Sequence, residues 1–328
     1  QQTACRIPLT HAPPWLHPLH LMIPAYLAIL PATLTGVQGQ APQAAKEAEH
    51  PHQLPIGVPG RITPSLGYTS AATGQKVEIR EIVEAAKGYR FVLLGESHDN
   101  PHHHQMQADI IRALAADGRD VSVGMEMFTR DNQKAMAPWS RGMWTEAEFI
   151  EKAQWKTQWG FDFALYKPIF DAVKELRLPL AALNLPRDWV RRVGREGAET
   201  LTSTEKKWAP DINLDNKDHR RIFTAMIGGH PLEGKRGDNM LAAMIAWDEG
   251  MAQSALDFMS TRTSSKAVMV IVVGSGHMMY GQGINYRLSK KGHSSLGVLG
   301  MEEPLPNGGV SRGLAEFFFV SPKVVRKE

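Results

Sequence analysis

The sequence lacks the features that mark several large classes of protein. Its 328 residues contain a single cysteine, Cys5, which excludes an intramolecular disulfide. The formal net charge of +3 is small, and no concentrated basic face is indicated, so nucleic-acid binding is not expected. There is no His-Glu-x-x-His zinc motif, no Gly-x-Ser-x-Gly nucleophile elbow and no P-loop. The commonest signatures of zinc proteases, serine hydrolases and nucleotide hydrolases are therefore absent.

The first sixty residues lack sustained hydrophobic periodicity and are rich in Pro, Ala, Gln and His, which is typical of a leader or linker. Within them, residues 22–37 form an uncharged apolar run that is too short, with its two prolines, for a good membrane-spanning helix. Its length suits the apolar part of a signal peptide. We therefore expect Met22 to be the true start, residues 22–39 to be a signal peptide, and the protein to be exported to the periplasm or outer membrane. A lipid anchor at Cys5 has little support, because the leucine expected before it is missing.

From residue 61 to residue 328 the pattern predicts an α/β domain. Short apolar runs typical of buried strands alternate with amphipathic segments typical of helices, which favours a largely parallel central sheet flanked by helices. Polar segments rich in Trp and Arg, at about residues 128–165 and 186–236, predict helical insertions that form a smaller subdomain. The strands are expected at residues 91–95, 121–125, 178–183, 268–273, 296–299 and 317–320, and helices at 77–86, 101–118 and 238–259.

Polar residues follow the predicted strand at residues 91–95. Glu96 and His98 are two apart, so they share a face of an extended chain, and ligands of α/β sheets bind at this end of the strands. Three histidines open the next helix. Their spacing from Met106 places His102 and His103 toward the buried side, so at most two of the three are expected to serve one site.

Two more strands end in the same way. Glu126 lies in the apolar run after residue 124, and a carboxylate buried there must be paired, hydrogen-bonded or functional. His277 follows Gly274-Ser-Gly276, where the glycines permit a tight turn and a close ligand approach. A single residue of this kind usually has only a structural role. Glu96, His98, Glu126 and His277 together on one predicted edge favour a functional site.

Six motif-like segments occur in order between roughly residues 65 and 300. They are Gly95-Glu96-x-His98-Asp99-Asn100-x-x-His103-His104, Met125-Glu126-Met127-Phe128, Trp159 through Tyr166 to Pro168, Ala182-Leu-Asn184-x-Pro186-Arg187, Trp247-Asp248-Glu249-x-Met251-Ala252, and Gly274-x-Gly276-His277-x-x-Tyr280-Gly-Gln-Gly283-Ile284. Any one of them would be a weak signal, but in this order and spacing they resemble the ChaN-type haem-binding uptake family of the Tiki superfamily.

The resemblance implies an exported protein of haem and iron uptake that binds ferric haem through a tyrosine, as a homodimer that works with haem-uptake machinery. Tyr166 and Tyr280 both lie in matching segments, and the choice between them stays open. His277 would then support the phenolate of Tyr280, His103 would contribute to the cofactor site, and Arg187 would neutralise a propionate.

The main alternative is a hydrolase. The wider superfamily includes metal-dependent proteases and erythromycin-esterase-like enzymes with similar motifs. In this alternative Glu96, His98 and His277 bind a divalent metal or activate water, and Glu126 acts as acid or base. A module that binds no cofactor is a third hypothesis, which the carboxylates at the buried edge disfavour.

Overall fold

A computed structural model describes residues 49–326. The predictions that concern Cys5, Met22 and the signal peptide lie outside these residues. The described part contains ten strands: β1 (Arg61–Ile62), β2 (Gly67–Ser70), β3 (Lys76–Val77), β4 (Phe91–Glu96), β5 (Asp120–Thr129), β6 (Leu180–Asn184), β7 (Ala267–Gly274), β8 (Ser295–Glu302), β9 (Val310–Ser311) and β10 (Phe317–Ser321). Its α-helices are α1 (Ile79–Ala86), α2 (Pro101–Ala116), α3 (Met136–Ser140), α4 (Glu146–Lys152), α5 (Trp155–Gln158), α6 (Phe163–Glu175), α7 (Arg187–Glu196), α8 (Lys217–Met226), α9 (Gly234–Ser260) and α10 (Ile284–Lys290).

The central sheet has six parallel strands in the order β10-β8-β4-β7-β5-β6. This confirms the predicted α/β class. Every residue of β4 and β7 is buried, which explains their continuous apolar sequences: strands of a parallel sheet are covered on both faces. Two short antiparallel pairs are formed by β1 with β9 and by β2 with β3, and Leu66, just before β2, forms a parallel bridge with Val320 of β10.

Alternate strand residues face two separate helix layers. On one face, Val92 and Leu94 belong to a core that includes Met106 of α2 and Phe170 of α6. On the other face, Phe91 and Leu93 belong to a core with residues of α9 and α10. Within the described residues, no helix combines the length and apolar character needed to cross a bilayer.

The connections from β4 and β7 leave the sheet in opposite directions. From β4 the chain passes through α2 to β5 on one side of the sheet, whereas from β7 it passes through α10 to β8 on the other. The adjacent carboxyl ends of β4 and β7 therefore form a topological switch point, which is where open α/β sheets bind ligands. Glu96 ends β4, and His277 follows β7.

Two boundaries differ from those expected from the sequence. β5 continues to Thr129 and includes the buried Phe128, so the first helical insertion starts after Thr129 and not at residue 128. At the N-terminal side, Leu54 and Ile56 are buried in the core beneath α9 and α10, and the Ser311 hydroxyl donates to the Leu54 carbonyl at 2.7 Å. The packed chain thus begins before residue 61, because these apolar side chains have a core to enter.

Candidate functional site at the switch point

Side chains of the β4–α2 turn hold the start of helix α2. The Asn100 side-chain oxygen accepts hydrogen bonds from the backbone N–H groups of His102 and His103, and Pro101 occupies the first turn, as the sequence predicts. The His103 ring accepts from the Ser97 N–H at 3.0 Å through Nδ1 and donates to the Met301 carbonyl through Nε2. His103 is fully buried and both ring nitrogens are bonded to backbone, so its contacts in this structure are structural.

The other two histidines differ from the sequence-based expectation. His102 is exposed, and its predicted burial is wrong. His104 is fully buried instead, and its Nε2 lies 3.2 Å from Oε2 of Glu96. A buried polar ring such as that of His104 needs a polar neighbour, and the Glu96 carboxylate is that neighbour.

Glu96 connects four side chains at the end of β4. Its Oε1 accepts hydrogen bonds from His98 Nδ1 at 2.8 Å and from the Tyr166 hydroxyl at 2.6 Å. The Tyr166 hydroxyl in turn accepts from the Trp159 indole N–H at 2.9 Å, and His104 faces the other carboxylate oxygen. Because Nδ1–H of His98 donates to Glu96, Nε2 carries no proton when the ring is neutral.

Glu126 lies in a bulge of β5. The pairing with β6 shifts register between Met125 and Thr129, which alters the direction of the side chain. Oε2 of Glu126 accepts from the Gly274 backbone N–H at 2.7 Å. A Cβ atom at Gly274 would lie 2.8 Å from Cε1 of His98 and 3.5 Å from Oε2 of Glu126. Glycine is therefore required for His98 to pack over the end of β7, beside Glu126.

His277 is clamped between two carboxylates. Its Nδ1 lies 2.7 Å from Oδ1 of Asp248, and its Nε2 lies 3.4 Å from Oε1 of Glu126. The other Asp248 oxygen faces Nε2 of His219 at 3.3 Å and Nη1 of Arg287 at 3.7 Å. Side chains from β5, α8, α9 and α10 thus meet around one imidazole.

The pKa values of the first carboxylate–imidazole pair are shifted in opposite directions. Burial alone would raise the pKa of Glu96, but the charge and hydrogen bond of His104, together with those of His98, hold it well below its usual range. Burial alone would lower the pKa of His98, but the hydrogen bond with Glu96 and the charge of Glu126 raise it. The two shifts therefore favour the ionised form of Glu96 and make His98 easier to protonate.

The second pair behaves similarly. Burial disfavours the charged imidazole of His277, yet the charge of Glu126 and the hydrogen bond with Asp248 raise its pKa to about 10. The charge of His277 likewise outweighs burial at Glu126 and lowers the carboxyl pKa. For His219, burial dominates over the Asp248 charge and lowers the pKa to about 4, so this ring is neutral near pH 7.

The divalent-metal site predicted at Glu96, His98 and His277 is not supported by this arrangement. Among residues 49–326, no group of three or more His, Cys, Asp or Glu is placed to hold a metal ion. The physical reason is that the donor atoms face one another: Glu96 accepts from His98 and Tyr166, and both nitrogens of His277 face carboxylates.

An aromatic wall borders the site where it opens. The His98 side chain is 17% exposed, and its ring is edge-on to Trp159, with centroids 4.8 Å apart, and tilted against Phe161 at 5.6 Å. Both aromatic rings are half-buried. Arg187 is half-buried as well, and burial lowers its pKa while the charge of Glu126 opposes this effect. The opening therefore combines one imidazole, two aromatic faces and a guanidinium.

The two candidate tyrosines have protein partners for their hydroxyl groups. Tyr166 is fully buried between Glu96 and Trp159. The Tyr280 hydroxyl donates to the Pro51 carbonyl and accepts from the Leu54 N–H, both at 2.9 Å. The support expected for Tyr280 from His277 is not formed, because both ring nitrogens of His277 face carboxylates.

The sequence predicted that Glu96, His98, Glu126 and His277 lie at one edge of the sheet. It did not predict the buried polar residues that contact them. Asp248, Glu249 and Arg287 are buried, as is His219. One signal was present: Asp248 follows Met244 by four positions, so both lie on one buried stripe of the helix predicted at residues 238–259. A carboxylate on a buried stripe requires a partner.

Comparisons with known proteins agree on the fold. A protein-family model described as haem-binding uptake, Tiki superfamily, ChaN matches residues 82–288. The solved structure described as cofacial heme binding to ChaN of Campylobacter jejuni is 16% identical, covers 79% of this chain and 98% of its own, and superposes with a TM-score of 0.57. No curated protein sequence matches the chain significantly.

Two other solved structures are less similar. The type III effector HopBA1 is 10% identical, with 75% and 94% of the two chains covered and a TM-score of 0.45. A mutant of the erythromycin esterase EreC is 13% identical, with 75% and 82% covered and a TM-score of 0.41. Because the family model spans well over half of the sequence, this chain belongs to the haem-binding uptake family of the Tiki superfamily, ChaN.

Proposed function

We propose that this protein binds ferric haem in iron or haem uptake, at the opening beside His98. Membership of the haem-binding uptake family supports the ligand, and the similarity to ChaN of Campylobacter jejuni supports the fold that carries it. We place the haem at this opening because the partly exposed imidazole of His98 lies against the half-buried rings of Trp159 and Phe161.

The side chains at this opening suit the chemistry of haem. Ferric haem would supply a Lewis-acidic iron, a flat apolar ring and two propionate carboxylates. Trp159 and Phe161 offer aromatic surface to such a ring, and the Arg187 guanidinium is suited to a propionate. Arg187 donates to the Gln158 carbonyl but forms no ion pair with residues 49–326, whereas Arg192 is paired with Glu205.

We include in this proposal the tyrosine ligand that the family resemblance implies, with Tyr166 and Tyr280 as the two candidates. Burial and the charge of Glu96 raise the pKa of Tyr166 well above its usual value, so this hydroxyl would lose its proton only when it binds ferric iron. Burial also raises the pKa of Tyr280. Each hydroxyl would have to give up hydrogen bonds to the protein before it could bind iron.

The proposal also includes export, a homodimer and delivery of haem by uptake machinery. Export rests on the apolar sequence at residues 22–37, and the dimer and the delivery rest on the family resemblance alone.

A ferric haem titration of the full chain, followed by absorption spectroscopy, tests haem binding. We expect saturation at a fixed ratio of haem to protein. The double variant Trp159→Ala/Phe161→Ala should bind at least about tenfold more weakly, since each lost aromatic contact removes about 1 kcal/mol. Trp144→Ala is the matched control, because Trp144 packs on the same core but does not contact His98. Absence of saturable binding by the wild type would overturn the proposal, and equal affinities in the three proteins would overturn the location.

A second candidate function is hydrolysis of an ester or peptide. The observation that favours it is that Glu126 lies near two carboxylate–imidazole pairs: it faces His277 of the Asp248–His277 pair, and its charge acts on His98 of the Glu96–His98 pair. Haem binding does not require the second pair. Opposed carboxylates and imidazoles with shifted pKa values are typical of acid–base catalysis.

In this candidate, Nε2 of His98 takes a proton from water as the water attacks the substrate carbonyl. Glu96 stabilises the imidazolium that forms, and His98 then returns the proton to the leaving group. His277 stays protonated between Glu126 and Asp248, so its role is to hold these two carboxylates in place.

A chromogenic ester such as p-nitrophenyl acetate tests this candidate without haem. General-base catalysis contributes about 10²–10⁴-fold, so His98→Ala should lower kcat/KM by about 100-fold or more. His102→Ala should leave the rate unchanged, since His102 is exposed on α2. Equal rates for wild type and His98→Ala would eliminate the hydrolase.

A further inference from the structure

The chain after β10 reaches back to the turn that carries His98. We call residues 322–326 the strap, and residues 97–100, between β4 and α2, the turn. The strap is exposed except at Val324, and Val325 is 92% exposed. Little apolar burial therefore holds the strap against the rest of the protein.

One guanidinium fastens the strap. Arg326 donates to both carboxylate oxygens of Asp99 through Nε and Nη2, and to both oxygens of Glu302 through Nη1 and Nη2, the latter at 2.9 Å each. The Val324 backbone N–H also donates to Oε1 of Glu302, at 3.0 Å. Paired bonds between a guanidinium and a carboxylate fix geometry as well as contribute energy. The strap is thus tied to two carboxylates, and one of them, Asp99, directly follows His98.

Glu302, at the end of β8, connects the strap to the turn a second time. Its Oε2 accepts a hydrogen bond from the Asn100 side-chain amide at 3.0 Å. The Asn100 side-chain oxygen caps the first turn of α2. The strap therefore contacts the turn directly at Asp99 and, through Glu302, at Asn100.

The bonds of the strap differ from those that hold His98 from below. The side chains of Asp99 and Arg326 are 38% and 44% exposed, whereas Glu96, the partner of His98 Nδ1, is buried. Exposed ion pairs are individually weak and are screened by salt. The strap can therefore release while the sheet and the bond between Glu96 and His98 stay intact, as in other local openings of a folded protein.

We propose that the strap is a salt-sensitive closing device for the opening beside His98. When Arg326 binds Asp99 and Glu302, the turn is held in place. When Arg326 is released, the turn loosens and a ligand at the opening leaves faster. The effect on a ligand rests on the proposed haem-binding function, whereas the hold on the turn does not.

Hydrogen–deuterium exchange of the full chain at low salt, followed by mass spectrometry, tests the hold on the turn. We expect the amides of residues 97–100 to exchange about threefold faster or more in Arg326→Gln than in the wild type, because the turn loses both connections. Arg221→Gln is the matched control: Arg221 forms a similarly exposed bidentate pair with Glu49 that involves no residue of the turn. Equal exchange of the turn in the wild type and in Arg326→Gln would overturn the strap.

Salt and a second variant separate the strap from a general loss of stability. Sodium chloride at about 0.5 M should speed exchange of the turn in the wild type and change it little in Arg326→Gln, since the screened bonds are already missing there. Asp99→Asn should speed exchange in the same direction, and the double variant should exchange no faster than Arg326→Gln. Additive effects of the two substitutions would show that Arg326 and Asp99 act separately, which contradicts the proposal.

The effect on a ligand is measured as the rate at which ferric haem passes from the protein to excess apomyoglobin. We expect the dissociation rate to rise about threefold or more in Arg326→Gln and to stay unchanged in Arg221→Gln. A faster exchange of the turn with an unchanged dissociation rate would overturn the control of the opening. If the wild type binds no haem, the proposed function fails and the control of that ligand fails with it, while the exchange data still decide whether the strap holds the turn.

Discussion

Replacing Asp248 with asparagine is expected to lower the free energy of unfolding by about 3–5 kcal/mol, as when one partner of a buried ion pair is removed. Asp248 is fully buried, and its carboxylate faces His277, His219 and Arg287. Asparagine keeps the size but leaves the charges of His277 and Arg287 without this counter-charge. Urea unfolding followed by circular dichroism measures the loss.

Asp257→Asn is the matched control for that substitution. Asp257 lies on the same helix, α9, but its side chain is 41% exposed in its ion pair with Arg130. An exposed pair contributes only about 0–1 kcal/mol, so this variant should remain close to the wild type. If the two variants lose the same stability, the buried network around His277 does not have the energetic role assigned to it.

Stability should fall as the pH rises from about 6.5 to about 10, and His277 should be a main cause. The pKa of its imidazole is raised from 6.5 in the unfolded chain to about 10 in the folded protein. A raised pKa means that the folded state binds the proton more tightly, so the stabilisation is complete below pH 6.5 and is lost as the pH approaches 10. Each pH unit of this difference corresponds to about 1.4 kcal/mol, which makes the total effect on the order of a few kcal/mol.

Urea unfolding at several pH values, compared between wild type and His277→Asn, isolates this contribution. The variant should show a flatter dependence between pH 6.5 and pH 10. His219→Asn serves as control, because the lowered pKa of His219, about 4, keeps that ring neutral throughout this interval. Parallel curves for wild type and His277→Asn would contradict a protonated His277 in the folded state.

Much of the fold follows from local sequence pattern. The apolar runs that become β4 and β7 are continuous because a central parallel strand is buried on both faces. The start of α2 could be predicted because Asn100 favours the N-cap position and Pro101 favours the first helical turn, and both effects are local. Since parallel strands end at a common edge, the sequence also predicted that Glu96, Glu126 and His277 lie together.

Pattern was less informative about side-chain direction at the ends of elements. His102 was expected on the buried side of α2, but it is exposed, while His104 turns inward to Glu96. Along α9, Met244 and Met251 are buried, whereas Met240, four residues before Met244, is 38% exposed. Near a helix end, one residue of phase error changes which side chain meets the core.

The sequence by itself determined the α/β class, the edge at which polar residues gather and the family motifs. Only the tertiary structure decided which of those residues bond to one another. Asp248, His219 and Arg287 come from three different helices, and their meeting around His277 depends on how those helices pack. The bulge at Glu126 and the enclosure of the two tyrosine hydroxyls have the same origin. Periodicity records which face of an element is buried, but it carries no information about which distant element covers that face.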